Sequence, residues 1–191
     1  MRANIWISVP RVLFVLIVLP ALSVLLLSGT SAAQETDGSA ELEQAFQQKI
    51  DATSSRDLDK VVKLWEAAIK KGLDEGNLAQ AQQLASSVLF QQAEQLGQKI
   101  FATGAQDPRW RIYRSQALSK LQKVVKFSPK MGDAFLLIAK LNALPGGDKK
   151  QSKVAVEKAV ELAGDDREAL SSALFYRATV AEDDESQLAD L

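Results

Sequence analysis

The side chains that most often carry catalysis are scarce in this sequence. The chain has no histidine and no cysteine, which excludes Ser-His and Cys-His nucleophile pairs, thiolate chemistry and zinc sites that use histidine. The spacings of a phosphate-binding P-loop and of an EF-hand are also absent. The carboxylates Asp183, Asp184 and Glu185, in an acidic run at 182–185, fit a solvated turn better than an acid-base pair, since such pairs act from clefts. We therefore expect a non-catalytic protein without a cofactor or a metal site.

The strongest charged feature is a basic run at 109–130, which contains no acidic residue. At about 100° per residue, five of its basic side chains share one helical stripe. These five are Arg109, Lys120, Lys123, Lys126 and Lys130. Trp110 and Tyr113 lie on the opposite, apolar face of the same helix, so we interpret both as core residues and expect no nucleic acid partner.

This basic stripe has two interpretations. It is either a ridge for an anionic partner, namely an acidic protein segment, an envelope polymer or a lipid headgroup, or a solvated face that balances other charges of the chain. The second interpretation rests on the region after residue 164, which contains eight acidic residues and only two basic ones, Arg167 and Arg177. Both interpretations require a helix over 109–127.

The spacing of apolar residues predicts that helix and several others. Apolar residues recur with the helical period after residue 39, and runs of β-branched residues bounded by turn signals are absent. The sequence therefore predicts an all-α fold. The predicted helices cover 40–52, 57–73, 78–103, 109–127, 131–144, 148–163, 167–181 and, after a turn at 182–184, residues 185–191.

The first 33 residues have the form of a secretory signal peptide. Two arginines flank the start, an uncharged apolar run covers 12–27, and Ser31 and Ala33 satisfy the small-x-small rule for cleavage between Ala33 and Gln34. Since this segment holds two of the 23 basic residues and none of the 24 acidic ones, the remaining 158 residues carry a formal charge of −3. We expect an exported chain, periplasmic or secreted. The alternative is an inner-membrane anchor formed by residues 12–27, and this would be the chain's only membrane contact.

After the signal peptide we expect a lead-in with a short helix at 34–56 and a repeat domain at 57–191, with the last repeat incomplete. The hairpins resemble tetratricopeptide repeats, which are helix-turn-helix units of about 34 residues with a bulky and a small residue on the first helix, a Gly-Asp/Asn turn and alanines on the second. Two units carry the resemblance: Trp65, Gly76-Asn77 and Ala81 in one, and Phe135, Ala139, Gly147-Asp148 and Ala159 in the other.

The resemblance implies a right-handed α-solenoid of stacked antiparallel hairpins, whose first helices line a groove for a protein or peptide partner. The alternative fold is a non-repeating α-helical bundle. Carried over by position, the groove residues are Lys63, Glu66 and Lys70 in one unit and Asp133, Leu136 and Lys140 in the other. The implied function is an exported, non-catalytic scaffold for protein-protein interaction. The alternatives are the non-catalytic N-terminal portion of a longer exported enzyme, with its catalytic domain beyond Leu191, and a self-associating structural array.

Overall fold

The structure is a computed structural model that describes residues 38–189. The proposed cleavage site between Ala33 and Gln34 and the apolar run 12–27 lie outside the described residues. Within residues 38–189 the chain is helical and contains no strand, which confirms the predicted all-α fold. The helices are α1 (Ser39–Asp51), α2 (Ser55–Lys71), α3 (Glu75–Thr103), α4 (Trp110–Phe127), α5 (Gly132–Ala143), α6 (Lys149–Ala163) and α7 (Arg167–Ala189), with a short 3-10 turn at Gly104–Gln106.

Short polar side chains cap the N-termini of helices α2, α3 and α6. At α2, the Ser54 hydroxyl accepts a hydrogen bond from the Asp57 backbone N–H at 3.2 Å, and at α6 the Asp148 carboxylate accepts one from the Gln151 N–H at 2.9 Å. Such caps satisfy backbone donors that the first helical turn leaves free. At α3 the cap is Asp74, which accepts the backbone N–H of Asn77 at 2.9 Å. Helix α3 therefore begins at Glu75, three residues earlier than predicted.

The predicted turn at residues 182–184 was also wrong, because α7 continues as one helix from Arg167 to Ala189. The turn was expected because residues 182–185 form an acidic run. Acidic residues cost little in a helix interior, whereas glycine and proline, the residues that break helices, are absent from this stretch.

The predicted reversal between α5 and α6 is present at 144–148, and its two glycines have different roles. Gly146 adopts φ +69°, a left-handed conformation that disfavours any side chain. A Cβ on Gly147 would instead collide with the backbone carbonyl of Asn142 and would lie 2.8 Å from that of Leu144. The Arg114 guanidinium of α4 donates to the carbonyl oxygens of Pro145 and Gly146 at 3.0 and 2.9 Å, so the turn is fixed to the preceding helix.

Consecutive helices pack against one another, and several also contact the helix after next. The pairs α1 and α2, α3 and α4, α5 and α6, and α6 and α7 have the most extensive contacts, while α5 also contacts α3 and α7. Trp65, Leu121, Val124 and Leu141 are fully buried in the core that α1 to α5 share. Within residues 38–189, no helix combines the length and the apolarity that crossing a membrane requires.

Candidate functional site: a polar cleft between α2 and α4

The basic stripe on α4 does not form one free ridge. The Lys120 ammonium lies 2.8 Å from a carboxylate oxygen of Asp59, and the Lys123 ammonium lies 2.7 Å from one of Glu66. Both carboxylates belong to α2, so two of the five basic side chains of the stripe are paired with a neighbouring helix. Lys120 and Lys123 are thus paired within the chain, because a lysine close to another helix is attracted to the carboxylates on that helix. The ridge for an anionic partner stays a prediction.

The other members of the stripe have separate surroundings. Arg109 forms an ion pair with Asp107 at 3.1 Å, and its guanidinium lies 5.4 Å from the centre of the Tyr113 ring. This pairing raises the pKa of Arg109 and lowers that of Asp107. Lys126 and Lys130 are exposed on the surface of α4 and the turn that follows it. Trp110 is buried and Tyr113 half-buried, which confirms that they belong to the apolar face.

The six residues expected in one groove lie on two helices, three on α2 and three on α5. Lys63 and Glu66 lie on the side of α2 that faces α4, while Lys70 is exposed near the end of α2. Asp133 and Leu136 line a small cavity of about 160 Å³ formed by α5, α6 and α7.

Lys140, the third groove residue expected on α5, places its ammonium 4.5 Å from the centre of the Tyr176 ring of α7. Burial lowers the pKa of Lys140, and the nearby Asp133 carboxylate partly offsets this effect. Lys140 therefore helps to hold α7 against α5. One cavity is lined by Lys63 of the first unit and another by Asp133 and Leu136 of the second, and the single groove expected from the resemblance stays a prediction.

Two separately predicted features meet instead in a cleft of about 660 Å³ between α2 and α4, which we call the α2–α4 cleft. Lys63 of the expected groove and Lys120 and Lys123 of the expected ridge all line it. Helix α3 forms its floor. The lining residues are Ser55, Asp59, Val62 and Lys63 from α2, Leu89, Gln92, Gln95, Leu96 and Lys99 from α3, and Ser115, Gln116, Ser119, Lys120 and Lys123 from α4.

Gln92 connects the three helices beneath the cleft. Its side chain is 3% exposed, and its amide nitrogen donates to both the backbone carbonyl and the hydroxyl oxygen of Ser55 at 3.1 Å. Its amide oxygen accepts a hydrogen bond from the Lys120 ammonium at 2.8 Å. Lys120 thus has two partners, Gln92 below it and Asp59 beside it, and its position in the cleft is well determined.

Gln92 was missed in the sequence because it is one of seven glutamines in α3, and its residue type does not distinguish it from the other six. A signal was present. Gln92 follows Val88 by four residues and Leu89 by three, so it lies in phase with the buried apolar stripe. A polar residue in that phase must find hydrogen-bond partners inside the protein.

The chemistry of the cleft is polar and predominantly cationic. Four lysines line it, namely Lys63, Lys99, Lys120 and Lys123, against the single lining carboxylate of Asp59. Amide and hydroxyl groups from the three helices can both donate and accept hydrogen bonds. In the described part of the chain, no group of three or more acidic side chains is arranged to hold a metal ion.

A larger cavity of about 990 Å³ lies against α6 and α7, with Phe135 and Val154 among its apolar lining residues. Ion pairs lie among the charged residues around it, including Arg177 with Glu157 at 3.5 Å and Lys158 with Glu161 at 2.7 Å. Its apolar surface favours no particular ligand. The α2–α4 cleft, with its convergent polar groups, is the better candidate for specific recognition.

We compared the chain with protein-family models, with curated proteins and with solved structures, and none of the three comparisons found a significant match.

Proposed function

We propose that the chain is an exported, non-catalytic scaffold of tetratricopeptide-like hairpins that binds an extended segment of a partner protein in the α2–α4 cleft. The observation that carries this proposal is the convergence of hydrogen-bonding side chains from three helices on one groove. An extended polypeptide needs partners for the N–H and C=O groups of its backbone. The amides of Gln95 and Gln116 and the hydroxyl of Ser119 line the cleft and supply both donors and acceptors.

The dimensions of the cleft support a short segment as the ligand. From Ser115 to Lys123 the lining of α4 extends over eight helical steps, or about 12 Å at 1.5 Å per step. About four residues of an extended chain have that length. The cleft therefore fits a recognition motif within a longer partner.

The packing of the helices supports the repeat interpretation. Helix α7 contacts both α5 and α6, and α5 contacts both α3 and α4. In stacked hairpins each new helix covers apolar surface that the previous pair leaves exposed, so contacts of this kind are expected. The length of α3, 29 residues, departs from the standard unit. Export is proposed from the signal-like form of residues 1–33, and N-terminal sequencing of the chain recovered from cells would test it.

Site-specific photo-crosslinking in cells would test the cleft. The full chain would carry a photoreactive residue at Gln95 or Ser119, both in the cleft, and in a control at Gln47, which is exposed on α1. We expect one protein partner to be captured from positions 95 and 119 and not from position 47, and we expect the Gln116→Ala change to reduce its capture. Equal capture from all three positions, or no capture from the cleft, would refute the proposed binding site.

A further inference from the structure

We propose that the α2–α4 cleft selects acidic segments. In the free protein Asp59 and Glu66 pair with Lys120 and Lys123, and in the complex the ligand's carboxylates pair with these two lysines instead. This inference rests on the proposed function, since it specifies the ligand of the same cleft. It assigns two carboxylates of the chain as built-in competitors of its partner. Neutralising them should therefore strengthen binding.

The two ion pairs are suited to exchange because they lie at the surface. The side chains of Asp59 and Lys123 are 48% and 46% exposed, and those of Lys120 and Glu66 are 21% and 28% exposed. Ion pairs that water reaches contribute little to stability, because solvation competes with them. Replacing one carboxylate by another on the same lysine costs correspondingly little.

Lys120 is held ready for a ligand by a neutral partner. Gln92 accepts a hydrogen bond from its ammonium at 2.8 Å from below the cleft. This bond persists when Asp59 moves away, so Lys120 stays directed into the cleft. Preorganisation of this kind reduces the conformational entropy that binding must otherwise remove.

The charge of the cleft exceeds what the internal carboxylates neutralise. Lys63 and Lys99 line the same cleft, and neither forms an ion pair with a described residue, although the Lys99 ammonium lies 5.9 Å from the centre of the Tyr113 ring. With Lys120 and Lys123 matched by Asp59 and Glu66, two positive charges remain for a ligand. An extended segment with acidic residues at alternate positions places its carboxylates on one side of the chain, about 7 Å apart. The flexible side chains of Lys120 and Lys123, one turn apart on α4, can reach both of these ligand carboxylates.

The neutral lining favours a polypeptide over other anions. Aromatic side chains are absent from the described lining of the cleft, whereas nucleobases are typically bound by stacking on aromatic rings. Glutamine and serine side chains instead match the donors and acceptors of a peptide backbone. We therefore assign an acidic polypeptide segment as the ligand.

Fluorescence anisotropy with the full chain would test this assignment. The probe is a labelled, end-blocked peptide of alternating Glu and Ser, and its control has Gln in place of every Glu. We expect the chain to bind the Glu peptide and to discriminate against the Gln peptide. Removing the two unpaired charges by Lys63→Gln with Lys99→Gln should weaken binding about tenfold, since each charge contact is worth a few-fold in affinity. The matched control, Lys126→Gln with Lys130→Gln, removes the same charge outside the cleft and should have little effect.

The decisive variant is Asp59→Asn with Glu66→Gln. Because it removes the internal competitors, the Kd for the Glu peptide should fall about threefold or more. If this Kd is unchanged or rises while the wild-type chain still prefers the Glu peptide, the competitor role is refuted and the proposed function stands. If the wild-type chain binds both peptides equally, acidic selectivity is refuted. Binding of inorganic polyphosphate or of anionic vesicles, without binding of any peptide, would refute both this inference and the proposed peptide site.

Discussion

The substitution Gln92→Leu tests whether the polar connection beneath the cleft stabilises the fold. Leucine has a similar size and fits the apolar phase of α3, but it removes every hydrogen bond of the amide. Gln92 donates to Ser55 twice at 3.1 Å and accepts from Lys120 at 2.8 Å. The ammonium of Lys120, whose side chain is 21% exposed, would keep only its pair with Asp59.

The expected cost follows from these three bonds. A neutral hydrogen bond contributes about 1 kcal/mol net, and one to a charged group contributes about 1.5–3 kcal/mol. Against this loss, the buried leucine side chain gains about 25 cal/mol per Å² of apolar surface removed from water. The backbone carbonyl of Ser55 lies in the first turn of α2, where a helical hydrogen bond still satisfies it. We therefore expect the free energy of unfolding to fall by about 2 kcal/mol.

Urea unfolding followed by far-UV circular dichroism measures this change. The matched control is Gln95→Leu, which makes the same replacement at an exposed cleft position of the same helix and should alter the free energy by less than about 0.5 kcal/mol. Gln92→Leu and Lys120→Met should also be non-additive, with a coupling of about 1 kcal/mol, since the two residues share a hydrogen bond. A Gln92→Leu protein as stable as the Gln95→Leu control would refute the reasoning.

Three further predictions concern the fold. In the turn between α5 and α6, Gly147→Ala should destabilise more than Gly146→Ala, because a Cβ at position 147 meets backbone carbonyls, whereas position 146 has open space and only a left-handed φ that costs about 1–2 kcal/mol; equal unfolding midpoints would contradict this. The pKa of Asp74 is lowered by hydrogen bonds from the Asn77 backbone and then from its side chain, so the cap stabilises the fold above the ordinary carboxyl pKa and is lost as the pH falls through the lowered value. Asp74→Asn should thus flatten the loss of stability between neutral and acidic pH, and an unchanged pH profile would argue against the cap. Trp65 is fully buried and its ring N–H has no hydrogen-bond partner among the described residues; Trp65→Phe should cost less than half of the roughly 3–5 kcal/mol expected for Trp65→Ala, and similar thermal midpoints for the two variants would contradict this.

Helix existence and most helix boundaries could be predicted from the sequence, because they depend on neighbouring residues. Ser54 and Asp148 precede apolar periodic runs, and both cap helices as such residues do. The reversal at 144–148 follows from proline and two adjacent glycines. The failure at 182–184 has a local reason too, since an acidic cluster was treated as a turn signal in the absence of any helix breaker.

The candidate site could be predicted only in fragments. Lys63 and Glu66 were selected from the resemblance, and Lys120 and Lys123 from their charge. Nothing in the spacing along the chain indicated that these residues face each other, and the floor of the cleft, with Gln92 at its centre, was not recognised.

The sequence by itself determined the helical class of the chain, the residues that start and end most of its helices, and the apolar stripes that become the core. These properties depend on interactions within a few residues. Only the tertiary structure decided that the basic stripe of α4 meets the carboxylates of α2. Lys120 and Asp59 are 61 positions apart in the chain, and their contact depends on how far α3 separates the two helices and how each helix is rotated. Side-chain packing across all three helices sets both quantities, so the cleft is a property of the assembled core.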